Sequence, residues 1–444
     1  MASETKKSQL DEAYKLNKKG LFIVRNPFLL PGVLLGIILT YMDFLIFISA
    51  IPGLISVFHL SLAQVTLLTD ISYFATAVGA FSWGYISDRF GRKLAFSIMI
   101  LIYSLGSFVT AFVGNLAELI GARAFGGFGI GGDAPTGNVI AAEQARPDKR
   151  STVLTILAVG NVVGFALGTG IVYLFTLLHI YIMYVFLVGV LPAILVYFIR
   201  RNLKETERFQ DLKKVLEEER IKNAQLETKF QINIEEAKKN PYRQLFSKGY
   251  ALNTILIAIF TTYVAGIVAV SLIYFPLYFI DVKHMSYVAT LSYEFIAYAL
   301  AGIGYVYTGF VGNKIGRKWI MGINLIVAGF LMIGVVLMNI PAWLLLFYSL
   351  FIAIHYSQWA AWPFYVAETY PTRMRGTASN FAYAFQWAGN IILPTAVTGL
   401  LYLTGFNWNL TFEILIIIPL FILPGIVYGF KKSSTTAELE KNAI

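Results

Sequence analysis

The sequence of 444 residues contains no cysteine and only four histidines. A chain without cysteine forms no disulfide and has no thiol to act as a nucleophile or metal ligand. The histidines are scattered, and no nucleotide-binding loop or nucleophile arrangement accompanies them, so we expect no enzyme, no metal and no cofactor. Charged residues make up only 14% of the chain, where soluble domains carry about 25%. These absences argue against a soluble enzyme.

Apolar residues are correspondingly abundant, at 57% of the chain. Runs of about 20 apolar residues, long enough to cross a bilayer as a helix, recur along it. We therefore predict an all-α membrane protein with twelve transmembrane helices. Their approximate limits are residues 29–51, 62–86, 93–114, 116–143, 151–177, 180–199, 250–280, 287–311, 318–338, 342–366, 377–403 and 409–430.

The placement of the basic residues indicates the orientation of the chain, whose formal net charge is +10. With the N-terminus in the cytoplasm, all but two of the 35 lysines and arginines fall on cytoplasmic segments, as the positive-inside rule requires. The exceptions are Arg123, inside a predicted span, and Lys283, on an outer loop. The positive charge follows from membrane topology, so no nucleic-acid partner is expected.

Two motifs recur at one offset. The string "GYISDRFGRK", which begins at Gly84, returns 225 residues later as "GFVGNKIGRK". The pair Glu143 and Arg150 returns at the same offset as Glu368 and Arg375. Two independent motifs with one offset indicate a duplicated six-helix unit, an arrangement that is common in transporters.

The duplication divides the chain into two helical bundles joined by a charged linker. The linker contains "LKKVLEEERIKNAQLETKF", whose Glu and Lys residues at helical spacing predict a solvated cytoplasmic helix. The predicted segments are a cytoplasmic tail at 1–28, an N-terminal bundle at 29–200, the linker at 201–248, a C-terminal bundle at 249–431 and a cytoplasmic tail at 432–444.

At these motifs the sequence resembles the major facilitator superfamily, and the resemblance covers essentially the whole chain. The duplicated loop motif is typical of that family. The segment "RAFGGFGIGGDAP", from Arg123 to Pro135, is similar to the branch of sugar, organic-ion and phosphate:proton symporters. The resemblance implies two pseudo-symmetric six-helix bundles with both termini in the cytoplasm, and transport by alternating access.

Charged residues of both motifs lie where helices turn at the predicted cytoplasmic surface. The resemblance implies that they form a gate that latches the cytoplasmic side shut. The alternative is that they only set the topology. The gate residues are Asp88, Arg89, Arg92, Glu143, Arg150, Arg317, Glu368 and Arg375.

Asp43 lies near the middle of the first predicted span, too far from either end to reach water. An ionisable group at that depth is costly and must face a cavity or a partner. In symporters of similar sequence, an acid of helix one pairs with the arginine that is found here as Arg123. The resemblance implies that Asp43 carries the coupling proton and Arg123 is its switchable partner. A permanent structural ion pair is the alternative.

Asp133 follows Arg123 by ten residues, about 15 Å along a helix and about 80° around it, so we expect a separate site. Its context "GGDAP" is similar to the "GGDYP" of anion symporters, which implies a place in the transport pathway and in coupling. The positions 225 residues after Asp43 and Asp133, which match them in the second copy of the repeat, hold the uncharged residues Val268 and Gln358. Proton chemistry is therefore expected in the N-terminal half.

Polar and aromatic residues of the predicted seventh, tenth and eleventh spans offer a substrate surface, because the corresponding helices of the family line the cavity. Packing, or an aromatic belt at the membrane surface, is the alternative. Within the tenth span, helical spacing predicts one continuous wall of side chains from residue 355 to residue 362. The substrate candidates are Tyr263, Tyr274, His355, Gln358, Trp359, Trp362, Gln386 and Asn390.

These features favour a proton-coupled symporter that brings a small polar metabolite, an organic anion or a sugar-like solute, across the plasma membrane as a monomer. A uniporter or proton-antiport exporter of organic cations is the first alternative, because buried Asp43 and Asp133 outnumber Arg123. A non-transporting sensor that signals through the linker is the second.

For Asp70 and Glu294, nearer the outer side, we expect structural hydrogen bonding. The expected partners are protons, the lipid bilayer and the solute.

Overall fold

A computed structural model describes residues 29–90, 92–133, 136–137, 150–194, 241–370 and 372–431. The predicted tails and most of the linker lie outside these ranges. In chain order the helices are α1 (Leu29–Ser49), α2 (Ile51–Phe58), α3 (Leu62–Phe90), α4 (Arg92–Thr110), α5 (Leu116–Ile130), α6 (Arg150–Leu177), a 3-10 helix (Ile182–Val190), α7 (Pro241–Leu245), α8 (Ala251–Asp281), α9 (Tyr287–Ile315), α10 (Arg317–Leu337), α11 (Pro341–Tyr356), a 3-10 turn (Ser357–Ala360), α12 (Trp362–Thr369), α13 (Thr372–Leu403), α14 (Trp408–Phe412), a π-helix (Glu413–Ile417) and α15 (Ile418–Tyr428).

The helices have the lengths that a bilayer demands. Eight helical segments within the described ranges are long and apolar enough to cross a membrane, and two shorter apolar helices cover Leu94–Thr110 and Ile182–Ile194. Each of the twelve predicted spans overlaps a described helix. Following the predicted topology, the end at which α1 and α8 finish is called the outer end.

The same helix pairs form in the first half, up to residue 194, and in the second half, from residue 241. In the first half α1 packs along α6, and α5 packs against α3 and α4; in the second half α8 packs along α13, and α11 against α9 and α10. Small residues allow such close crossings: a Cβ on Gly106 of α4 would lie 2.6 Å from the Cα of Gly126 on α5. The halves meet where α6 lies against α9 and α3 against α13.

The fourth long helix of each half is interrupted. The predicted span 342–366 is not one helix, because α11 gives way to the 3-10 turn before α12 begins. Pro363, in the first turn of α12, explains the break, since proline lacks an N–H donor and its ring clashes with the preceding turn. In the first half, α5 is followed by a turn at Gly131 and Gly132. Both halves therefore place irregular backbone deep inside the bundle.

Candidate functional site

Asp43 on α1 and Arg123 on α5 meet in the interior of the first half, with 0% and 2% of their side chains exposed. The Arg123 Nη2 atom lies 3.9 Å from the Asp43 Oδ2 atom, close enough for an ion pair but too far for a hydrogen bond. Ser107 on α4 donates a hydrogen bond to the other carboxylate oxygen of Asp43. Gly189 of the 3-10 helix makes room for the group, because a Cβ there would collide with Asp43 and Ser107. The predicted pairing is present.

The pair leaves polar atoms without hydrogen-bond partners among the described residues. These atoms are Asp43 Oδ2 and Arg123 Nε and Nη1. The guanidinium carbon instead lies 4.4 Å from the ring centroid of Phe47 and 5.9 Å from that of Phe186, where cation–π attraction offsets part of the lost hydration. Buried charges joined this loosely are costly. The geometry suits a pair that separates when one partner is neutralised.

Asp133 lies directly after the glycine turn that follows α5, and its side chain is fully buried. The Thr40 hydroxyl on α1 interacts with the Asp133 carboxyl and also with the Tyr103 hydroxyl on α4. Neither carboxylate oxygen, however, accepts a hydrogen bond of normal geometry from the described residues. Tyr103 interacts electrostatically with both acids, Asp133 and Asp43.

His355 and Gln358 are fully buried but face different helices. The His355 Nε2 atom lies 3.2 Å from the carbonyl oxygen of Val264 on α8 and must be the donor, because a carbonyl only accepts. The Gln358 Nε2 atom donates to the carbonyl of Met321 on α10 over 3.0 Å. The single wall predicted from α-helical spacing is not formed, because the 3-10 turn redirects the side chains from residue 357 onward.

Trp359 and Trp362 form a surface with α13. Their ring centroids lie 5.3 Å apart, and Trp362 makes a second edge contact of 5.3 Å with Tyr383. Within the described part of the chain, no hydrogen bond satisfies the Trp362 Nε1 donor, the Gln386 Oε1 acceptor or the Asn390 Oδ1 acceptor. Buried polar atoms normally have partners, so this surface has unused capacity to bind a solute.

Sequence reasoning missed an aromatic cluster that joins the two halves, which we call the central aromatic cluster. The ring of Phe165 on α6 lies 5.4 Å from Tyr41 and 6.5 Å from Phe44, both on α1. It also contacts Tyr298 on α9 and Tyr356 on α11, at 5.7 and 6.1 Å between centroids. The three-residue spacing of Tyr41 and Phe44 on α1, the helix that also carries Asp43, was the available signal.

Tyr274, a predicted substrate residue, joins the halves near the outer end. Its hydroxyl lies 2.9 Å from that of Thr66 on α3 and 2.6 Å from that of Thr398 on α13. Beside this triad, Thr395 of α13 donates to Asp70 of α3 over 2.7 Å, so the hydrogen bonding expected for Asp70 is present. We call these five residues the outer closure.

The remaining predicted site residues fall into two groups. Tyr263 is partly buried on α8, and the guanidinium carbon of Arg317, a predicted gate residue, lies 4.4 Å from the ring centroid of Phe364. The side chains of the other predicted gate residues lie outside the described part of the structure. They are Asp88, Arg89, Arg92, Glu143, Arg150, Glu368 and Arg375.

A repeated helical membrane bundle, with interrupted helices and buried ionisable groups beside the interface between its halves, is the architecture of a secondary transporter. The family model of the Major Facilitator Superfamily matches residues 33–354, and the chain belongs to that family.

Similar proteins carry small organic solutes. The chain is 26% identical over 414 residues to a predicted niacin/nicotinamide transporter, NiaP, of Bacillus subtilis, covering 91% of this chain and 96% of that protein. It is 23% identical over 378 residues to the sialic acid transporter NanX of Escherichia coli, with coverage of 82% and 86%. The crystal structure of a D-xylose-proton symporter matches the fold with a TM-score of 0.71 at 17% identity, over 89% and 96% of the two chains. The protein is a multi-pass plasma-membrane transporter of small organic solutes and not an enzyme.

Proposed function

We propose that the protein is a symporter that couples proton entry to the uptake of a small organic carboxylate by alternating access, with twelve spans and both termini in the cytoplasm. The observation that carries the proposal is the buried pair of Asp43 and Arg123, whose charges stand 3.9 Å apart while several of their polar atoms have no hydrogen bond from the described residues.

Proton binding at Asp43 supplies the coupling step. The carboxylate becomes a neutral carboxyl and loses its attraction for Arg123, which is then an unpaired cation in a low-dielectric interior. That state favours a different arrangement of α1 against α5. Because α1 packs along α6 and α6 lies against α9 of the second half, a movement of α1 reaches the interface between the halves.

The proposed solute follows from the relatives and from the surface of the site. Niacin and sialic acid, named for two relatives, both carry a carboxylate. The Trp362 Nε1 donor, which has no hydrogen-bond partner among the described residues, suits a carboxylate oxygen. Among the buried described residues, Arg123 is the sole arginine or lysine. One buried cation favours a monoanion over a multivalent anion.

Uptake of radiolabelled nicotinate by proteoliposomes tests the proposal. With an acidic exterior, nicotinate should accumulate above its external concentration in vesicles that contain the protein, and a protonophore should abolish the accumulation. Vesicles without protein correct for diffusion of the neutral acid. If the internal nicotinate concentration never exceeds the external one, with or without the proton gradient, the protein is not a proton symporter of nicotinate.

The site of Asp133 gives a specific reason to keep one second candidate, export of organic cations. Both of its carboxylate oxygens are buried without hydrogen bonds from the described residues, and the phenol groups of Tyr41 and Tyr103 interact electrostatically with it. A carboxylate beside aromatic rings suits a bulky cation. Stabilisation against heat by tetraphenylphosphonium, with none by nicotinate, would favour this candidate.

A further inference from the structure

Glu294 on α9 is a buried acid that the proposed coupling step does not use. Its side chain is 1% exposed, and its Oε2 atom has no hydrogen-bond partner among the described residues. The hydroxyl of Ser49, at the outer end of α1, interacts with the carboxyl as a hydrogen-bonding neighbour. Ser49 belongs to the first half and Glu294 to the second, so the acid lies at the interface between the halves.

The described titratable groups that interact electrostatically with Glu294 carry no positive charge. They are the phenols of Tyr287 and Tyr298 on its own helix and those of Tyr348 and Tyr356 on α11, while α1 contributes only an uncharged hydroxyl. A carboxylate without a cation is strongly disfavoured in such surroundings. A protonated carboxyl is neutral and also becomes a hydrogen-bond donor. The closed arrangement therefore suits Glu294 with a proton bound.

A cavity of about 390 Å³ lies between the halves at the outer end, with Leu60, Asp281 and Tyr287 in its lining. Tyr287 also donates a hydrogen bond of 2.6 Å to the backbone carbonyl of Ser49, which joins the halves below the cavity. Tyr287 and Glu294 are seven residues apart, so they share a face of α9 about 10 Å apart along the axis. Separation of the Tyr287 and Ser49 contact would open a short path from the outer cavity to the acid.

We propose that Glu294 is a gating proton site that must take a proton from the outer side before the two halves close there. The inference rests on the proposed alternating access. When the outer end is open, water reaches the carboxylate, and a proton from outside converts it to the neutral carboxyl that the closed arrangement accepts. When the outer end reopens, the carboxyl returns its proton to the outer side. This proton controls opening without crossing the membrane, unlike the proton on Asp43.

Cysteine accessibility tests the proposal without any substrate, since the native chain has no cysteine. Leu60 is 8% exposed in the cavity wall, so a Leu60→Cys reporter reacts slowly while the outer end is closed. Its labelling by a membrane-impermeant maleimide is measured at acidic and alkaline external pH. Each rate is divided by that of the same unfolded protein at the same pH, which removes the titration of the thiol itself. Asp281→Asn, which neutralises the exposed acid of the same cavity, is the matched control.

The reporter should label at least about fivefold faster at alkaline than at acidic pH, the lower end of ordinary coupling between sites. Glu294→Gln, which mimics the protonated acid, should label slowly at both. Glu294→Asp should keep a pH dependence with a shifted midpoint, and Asp281→Asn should behave like the parent reporter. A parent-like pH dependence in Glu294→Gln would overturn the proposal, as would a parent reporter without any pH dependence. Neither result changes the outcome expected in the nicotinate uptake test, so failure of the gating proposal can be distinguished from failure of the symport proposal.

Discussion

Asp133 and Gln358 occupy matching positions 225 residues apart, each at the interruption of the fourth long helix of its half. Their surroundings differ. The Nε2 atom of Gln358 donates to the carbonyl of Met321, although its Oε1 atom has no partner among the described residues, whereas both carboxylate oxygens of Asp133 lack such partners. The two halves of the duplicated scaffold therefore differ at this position: one has the neutral Gln358, held by a hydrogen bond, and the other has Asp133, whose carboxylate has no hydrogen bond from the described residues. This asymmetry supports the assignment of the coupling proton, as distinct from the gating proton proposed for Glu294, to the first half.

The first prediction concerns Asp133. Asp133→Asn should weaken nicotinate binding about tenfold or more, or remove its pH dependence, because a protonated Asp133 can donate a hydrogen bond to the nicotinate carboxylate. A hydrogen bond to a charged group contributes about 1.5–3 kcal/mol. Calorimetric titration at two pH values measures the effect. Asp43→Asn is the comparison and should keep its affinity at low pH. Parent-like binding by Asp133→Asn at both pH values would make the aspartate a packing residue.

The second prediction concerns the outer closure. Tyr274→Phe removes a hydroxyl that contacts both Thr66 and Thr398, while the direct contact of 2.6 Å between those two threonines remains. One hydrogen bond contributes about 1 kcal/mol. The Leu60→Cys reporter should then label about fivefold faster from the outside. Tyr263→Phe, which alters a partly buried tyrosine of the same helix, serves as control and should leave the rate unchanged. Equal rates in Tyr274→Phe and its parent would mean that the triad does not hold the outer end shut.

The third prediction concerns the cytoplasmic gate. Asp88 lies near the cytoplasmic end of α3, and Asp88→Asn should raise accessibility on that side by removing a charge from the latch. The expected increase is several-fold, as for a coupling of about 1–3 kcal/mol. A cysteine in place of buried Ala378 on α13 reports it, with Asn313→Ala at the matching loop position of the second half as control. Unchanged labelling would leave these charges with a topological role alone.

The sequence predicted the features that depend on local pattern or on duplication. Apolar run length anticipated the helices, and the intramembrane depth of Asp43, with the family resemblance, led to Arg123. The role of that contact in proton transfer stays a prediction. The proline that interrupts the tenth span was visible in the sequence, but α-helical spacing was assumed to continue across it. The prediction that His355 to Trp362 form one continuous wall was therefore wrong.

Features that depend on how the two halves meet could not be derived in this way. The hydrogen-bond partners of Tyr274 were not foreseen, because Thr66 and Thr398 lie 208 and 124 residues away along the chain. The central aromatic cluster exists because α6 lies against α9, and no local pattern of Phe165 encodes that contact. The same holds for Glu294, whose significance depends on the approach of α1 from the other half.

The central claim is that Asp43 carries the coupling proton, and uphill uptake by Asp43→Asn tests it most directly. The asparagine keeps the size of the side chain but cannot titrate, so a proton gradient should no longer drive accumulation above the external concentration of nicotinate. Exchange of internal for external nicotinate should continue, because exchange requires no net proton movement, and Asp281→Asn should accumulate nicotinate like the parent. Undiminished uphill accumulation by Asp43→Asn would contradict the account.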